Sequence, residues 1–252
     1  MAVAQISNFY DQHFLNHISL DCVVFGFHDN QLKVLLIRRK FTKEWALPGG
    51  FVREDESIEI AATRVLQERT GLDNIFLKQF KVFSEPERSK RNPIVQDLVD
   101  SGANPDLEWF NQRFISVGFY ALVDFSKVEP TPDSISDLCD WKNLGEVDSL
   151  ILDHNQILNK ALETLRLQLN YQPLGYNLLS DRFTMPELQR LYETILAKEL
   201  DRRNFQRKML SYGILNKLEE RKTGGAHKAP YLYEFNLENY QKALQNGLYG
   251  GW

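Results

Sequence analysis

The chain has 252 residues, of which 43% are hydrophobic and 25% charged, and a formal net charge of −4 at pH 7; this balance is ordinary for a soluble globular protein, and the length suits one large domain or two small ones. Two cysteines, Cys22 and Cys139, give neither a disulfide framework nor a metal-ligand spacing. The sequence holds no run of about 18 apolar residues and no basic-then-apolar start before Ser19, so neither a membrane span nor a secretion signal is expected, and a reducing, cytoplasmic setting fits.

Leu20 to Phe27 and Leu32 to Arg38 are apolar, β-rich runs, and His28-Asp29-Asn30-Gln31 between them predicts a hairpin turn. A strand around Trp45 to Val52 then leads into a helix from Ser57 to Thr70, closed by Gly71. On that helix Ile58, Ala61, Ala62, Val65 and Leu66 make one apolar stripe at helical spacing. Ile75 to Phe83 and Phe114 to Phe125 read as further strands. Between them stand 24 residues, Ser89 to Gln112, with a short helix expected near Val95 to Val99. A connection of that length is expected to be functional, as a pocket lid or a dimer contact. Trp141 to Leu144 closes this body, and Asp153 to Leu169 is its last helix. Tyr171 to Asp181, with Pro173, Gly175 and Asn177, is the most linker-like stretch, which places the domains at 1–170 and 171–252.

The C-terminal third begins with a helix start, Thr184-Met185-Pro186-Glu187, in which threonine caps and the glutamate reaches back. Leu188, Leu191, Tyr192, Ile195 and Leu196 face inward from that helix. A second helix follows from Asp201 to Gly213, with Phe205, Met209 and Leu210 expected inside and Arg202, Arg203, Gln206, Arg207 and Lys208 outside. Leu215 to Glu220 and Tyr231 to Phe235 then flank a basic Gly-Gly tip that contains Lys222, His227 and Lys228. Between Lys198 and Lys228 nine Lys/Arg oppose four acids, so a +5 segment rides on a −9 remainder. This pattern predicts a winged helix-turn-helix whose second helix enters the major groove of duplex DNA. Arginine can fork onto guanine or clamp phosphate, and Gln206 can address adenine. Lys222, His227 and Lys228 would touch phosphates or the minor groove from the wing. The expected fold class is α+β.

One motif remains. Gly50 is followed by Glu56, then Arg64, then Val65-Leu66-Gln67-Glu68-Arg69-Thr70-Gly71-Leu72. This resembles the Nudix box, G-x5-E-x7-R-E-U-x-E-E-x-G-U, and implies a Nudix α/β/α sandwich with a mixed sheet. In active members three carboxylates on an arc of about 100° hold divalent cations against a diphosphate. Here Val65 and Arg69 replace two of them, so no catalytic residue, metal or cofactor is assigned. The alternative is a magnesium-dependent Nudix hydrolase of a nucleoside diphosphate derivative, using Glu56, Glu68 and other ligands.

The order Thr-x-x-Glu-Leu-Gln, Tyr-Glu-x-Ile-Leu, Leu-Asp-x-x-Asn-Phe-x-x-Lys over 184–208 resembles Nudix-related transcriptional regulators. In these a decayed Nudix domain senses a small molecule and a C-terminal winged helix binds operator DNA, as a homodimer. The resemblance implies a repressor of carbohydrate genes responding to L-arabinose, because the rewritten box and the insertion after Arg88 depart from the ADP-ribose subgroup. An ADP-ribose-responsive regulator of NAD metabolism is the alternative. Candidate effector contacts are Arg38, Arg39, Trp45 and Glu68.

Overall fold

Strand β1 (Phe14–His28) carries its apolar run, broken by Asp21, in the middle of a sheet, where both faces are covered and polar alternation is not needed. The computed structural model describes residues 13–73, 75–89, 93–100, 102, 107–169, 171–222 and 229–248. They fall into two compact units, one drawn from Met1–Gly26 and Lys33–Ala161, the other from Phe27–Leu32 and Leu162–Trp252.

In the first unit β1 is followed by β2 (Gln31–Arg39), β3 (Trp45–Ala46), β4 (Gly49–Arg53), helix α1 (Ile58–Thr70) and β5 (Phe76–Phe83). Helices α2 (Pro93–Asp100) and α3 (Leu107–Phe110) occupy the long connection, before β6 (Ile115–Val123), β7 (Ser136–Asn143) and helix α4 (His154–Gln168). The sheet runs β3-β2-β1-β6-β5, with β4 on β1 and β7 on β2. β1 and β6 are parallel, whereas β5 and β6, β2 and β7, and β1 and β4 are antiparallel, so the sheet is mixed as expected. Helix α1 covers one face with Ala61, Ala62, Val65 and Leu66, packed on Leu20, Val24, Leu35 and Phe119 in one core cluster. Ser57 caps it by accepting the Ile60 N–H, and Gly71 ends it at φ 71°, a left-handed conformation suited to glycine.

The second unit holds β8 (Phe183–Thr184), α5 (Met185–Leu196), α6 (Arg202–Ser211), β9 (Leu215–Arg221), β10 (Tyr231–Phe235) and α7 (Leu237–Asn246). Its sheet runs β8-β10-β9. The predicted capping box is present: Thr184 accepts from the Glu187 N–H, and Glu187 accepts from the Thr184 N–H at 2.8 Å.

Several expectations are corrected. The linker-like stretch 171–181 is packed, since Leu174 and Leu178 are buried and Tyr176 meets Phe235 edge-on and Tyr240 at a tilt. Leu210 is exposed, and Ile214 beyond the helix is buried instead. The stretch read as closing the body at Trp141 to Leu144 belongs to a strand that starts at Ser136, and helix α7 was not anticipated.

Candidate functional site

The rewritten box is built as a structural element. Val65 is buried among apolar neighbours, 2% exposed, and closes on the backbone of Gly50: a Cβ at that glycine would meet Val65 Cγ2 at 2.9 Å. Glu56 is occupied by protein donors. It takes Arg64 Nη2 at 2.6 Å, Arg64 Nε at 3.1 Å and the Arg53 N–H at 2.9 Å. The Arg64 hydrogen bond holds its carboxyl below the usual range, against burial. Arg64 also donates to the Phe51 carbonyl at 2.9 Å, so this retained pair ties the loop before α1 to the helix. Glu68 is exposed and pairs with Arg69 at 3.3 Å and Arg64 at 3.6 Å. A magnesium ion needs a set of hard anionic oxygens. This helix face offers one exposed carboxylate flanked by two guanidinium groups, and the donor set does not fit that ion.

A cavity of about 140 Å³ opens beside the box, lined among others by Asp21, Arg39, Phe51, Arg88, Phe110 and His154. Its polar wall is a buried charge network. Arg88, 4% exposed at the side chain, forks onto Asp153 with two contacts of 3.0 Å and reaches Asp21 Oδ2 at 3.2 Å. Ser116 donates to the same Asp21 oxygen at 2.5 Å. His154 Nδ1 accepts the Leu47 N–H at 3.0 Å, which leaves the proton on Nε2, 3.3 Å from Asp21 Oδ1. Burial pushes the imidazole below its ordinary value against the pull of Asp21 and Asp153, so it is neutral near pH 7. Two main-chain features deliver these groups. Leu152 sits at φ 50°, an unusual value for leucine, and turns the chain so that Asp153 and His154 start α4 beside the cavity. Asp21 interrupts the apolar run of β1.

Arg39 projects into the same cavity from the end of β2. Its Nε donates to Asp97 of α2 at 2.6 Å, while its buried Nη2 has no hydrogen-bond partner among the described residues. An aromatic group closes one side: Trp109 meets Phe51 and Phe114 edge-on at 4.8 Å, and its Nε1 donates to Asn16 at 2.8 Å. Of the four effector candidates read from sequence, only Arg39 lines the cavity. Arg38 pairs with Asp137 at 2.9 Å, and Asp137 is pushed down to about 2 by that hydrogen bond and one from Lys43. Trp45 lies against Lys142, 4.5 Å from ring centre to ammonium, and Glu68 is on the outer face of α1. Asp21, Arg88, Asp97, Asp153 and His154 were not singled out. The available signal was a lone aspartate in an apolar strand, since charged residues are seldom buried unpaired.

The second unit presents the other surface. On α6, Phe205 and Met209 are buried four residues apart, and Arg203 and Arg207, also four apart, lie on the opposite side. Arg202, Arg203 and Arg207 are exposed, and Gln206 and Lys208 are half-buried at the flanks. Arg207 is steadied by Asn204 at 2.9 Å. At the wing Lys222 pairs with Glu187 of α5 at 2.5 Å. Lys217 and Arg221 both lie over the ring of Tyr231, at 3.7 and 3.8 Å from its centre. The wing-tip candidates His227 and Lys228 lie outside the described residues. Among the described residues no helix is long and apolar enough to cross a membrane.

Known proteins match this arrangement along nearly the whole chain. The family description "NUDIX domain" matches residues 15–165, and "NrtR DNA-binding winged helix domain" matches residues 175–235. The "ADPR responsive transcriptional repressor NtrR" of Acinetobacter baylyi is 30% identical over 230 residues, covering 88% of this chain and 83% of that protein. The crystal structure of Shewanella oneidensis NrtR complexed with a 27mer DNA superposes with a TM-score of 0.74 at 27% identity, covering 94% of this chain and all of that one. A MutT/nudix family protein from Enterococcus faecalis shares the fold, with a TM-score of 0.64 at 24% identity over 92% of this chain and 93% of that one. The chain therefore belongs to the Nudix family in its NrtR form, a Nudix domain followed by an NrtR-type DNA-binding winged helix.

Proposed function

We propose that this protein is a cytoplasmic transcriptional repressor in which residues 1–170 sense a small molecule and residues 171–252 bind operator DNA, as a homodimer. The observation that carries the reading is the outward face of α6, where Arg203 and Arg207 stand opposite the buried Phe205 and Met209. That is the disposition a recognition helix needs in a major groove. The box helix serves the fold and no hydrolysis is assigned to it. Magnesium-dependent turnover of ADP-ribose that Glu68→Gln abolishes would overturn this part.

ADP-ribose is the effector that the Acinetobacter repressor's name supports, in preference to the sugar favoured from sequence. The cavity of about 140 Å³ is far smaller than the ~300–1,000 Å³ of pockets that enclose a drug-sized ligand. In this reading one ribose enters the cavity and the diphosphate stays at its mouth. A second reading, a free pentose such as L-arabinose, is favoured by the same volume. It is favoured also by a wall whose guanidinium groups are already paired with carboxylates, which suits hydroxyl groups better than phosphate. An effector acts only through its different affinity for two states, worth ~1–3 kcal/mol.

The test is binding of the full chain to duplex DNA from upstream of its own gene, at fixed salt, repeated with ADP-ribose and with L-arabinose. Weakening of specific binding by one ligand chooses the effector. No specific binding by folded protein would overturn the repressor reading.

A further inference from the structure

The guanidinium groups that line the cavity offer almost no surface to a ligand. The Arg39 and Arg88 side chains are 3% and 4% exposed, and both are committed to carboxylates, Arg39 to Asp97 and Arg88 to Asp21 and Asp153. A phosphate needs donors of that kind turned toward it, so this wall is a poor anion site. Asp133 is placed differently. It lines the cavity from the connection between β6 and β7 and is half-buried. One of its oxygens accepts the Ile135 N–H at 3.1 Å, and the other has no partner among the described residues. The connection is tied down on both sides. The Glu129 and Thr131 N–H groups donate to the Thr70 and Arg69 carbonyls at 3.0 Å each, and the Lys40 N–H donates to the Ile135 carbonyl at 3.0 Å. Arg69, which stands where the box pattern has a glutamate, also donates from its side chain to the Thr131 carbonyl at 3.4 Å. The residue that removes a metal ligand thus braces the segment that carries Asp133.

We propose that Asp133 is the ligand-selecting residue of the effector cavity: its second oxygen accepts hydroxyl groups of a pentose ring, and its charge turns away an anionic group at the same place. The inference rests on this cavity being the effector site. A carboxylate oxygen only accepts, so a ligand must bring donors to it, and hydroxyl groups are uncharged donors. A phosphate beside it would meet a like charge at the edge of a low-dielectric cavity, where repulsion is strong. Phe51, Phe110, Phe114 and Ile135 line the same cavity, so the C–H face of a sugar ring has an apolar wall to rest on while few polar groups fix its orientation. A free pentose and the ribose end of ADP-ribose share this chemistry.

The test is isothermal titration of the full chain with L-arabinose and with ADP-ribose, for wild type and Asp133→Asn. The asparagine preserves the connection, because its amide oxygen can accept the Ile135 N–H; that bond turns the amide nitrogen, a donor, to where the second carboxylate oxygen was. We expect thermal unfolding without ligand to be unchanged, and affinity for the ligand that wild type binds to fall by roughly 10–100-fold. The ligand that wild type binds more tightly identifies the source of the ring, a free pentose or the ribose end of ADP-ribose. Wild-type affinity in Asp133→Asn overturns this proposal alone. Tighter binding of ADP-ribose by Asp133→Asn also overturns it, since the carboxylate would then face the diphosphate. If neither ligand binds folded wild type, the effector reading falls and the proposal falls with it. Should Asp133→Asn not fold, Asp133→Ser, whose hydroxyl can also accept the Ile135 N–H, takes its place with the same expected loss.

Discussion

Restoring one lost box glutamate, by Val65→Glu, tests whether the helix face has become core. Val65 is 2% exposed and packs in the cluster with Leu20, Leu66 and Phe119. Losing its buried methyl groups costs about 1.5–2 kcal/mol by area. The new carboxylate enters against Gly50, and Arg69, four residues on along the same helix face, already pairs with Glu68 at 3.3 Å. If burial raises its folded-state pKa by ~2–3 units, the ionised form costs a further ~3–4 kcal/mol at pH 7. The total, about 5 kcal/mol, is comparable with the whole stability of a small domain. The sign with pH follows. A carboxyl with a raised folded-state pKa imposes its full penalty above that pKa, and the penalty fades as pH falls toward the unfolded value near ~4.3. Urea unfolding followed by tryptophan fluorescence reports the unit that holds Trp45, Trp109 and Trp141. We expect Val65→Glu to lose most of its stability at pH 7 and recover part of it at pH 5, with no rescue by magnesium. A variant as stable as wild type at both pH values, or one restored by magnesium, would refute the reasoning.

Arg203→Ala and Arg207→Ala should each weaken duplex binding by ~1–3 kcal/mol and leave effector binding unchanged; the salt slope of affinity should fall by roughly one for whichever arginine holds a phosphate. Arg88→Met leaves Asp21 and Asp153 buried without their cation, so a loss of ~3–5 kcal/mol and of effector binding is expected by denaturation and calorimetry. Thr184→Ala removes the helix cap of α5 and should destabilise the second unit by about 1–2 kcal/mol in thermal melts. Burial raises the Glu187 pKa, but the Lys222 and Thr184 hydrogen bonds outweigh it and the net shift is downward. Its stabilising contribution is therefore present above the ordinary glutamate range and lost as pH falls through the lowered folded-state value, which an acid titration of that unit checks.

The elements whose residues follow a simple period were legible in sequence. The stripe Ile58–Leu66, the capping box at Thr184 and the alternation of buried Phe205 and Met209 with outward arginines appear where local spacing put them. The basic face of α6 was legible for the same reason, because one helix carries it. The cavity was not. Its polar groups Asp21, Arg39 and His154 come from β1, β2 and the start of α4, and Asp97 of the insertion and Ser116 of β6 hold two of them, which no short-range pattern joins. Arg38 and Arg39 illustrate the limit: adjacent on one strand, they project to opposite faces, and sequence alone does not say which face holds the pocket. Tyr171 to Asp181 was misread for a related reason. Its Pro, Gly and Asn residues mark a turn-rich path, but Leu174 and Leu178 anchor that path in the second unit.

The ring of Tyr231 bears on the kinetics of a nucleic-acid encounter. Lys217 and Arg221 rest over it, so two of the longest and most mobile side chain types on the wing are held near one geometry. Ordering such a side chain at an interface ordinarily costs ~0.5–1.5 kcal/mol. If the wing binds DNA as proposed, cations already arrayed on an aromatic plate would meet the phosphates with that entropy largely spent at folding. Association then depends more on electrostatic steering than on a search through rotamers.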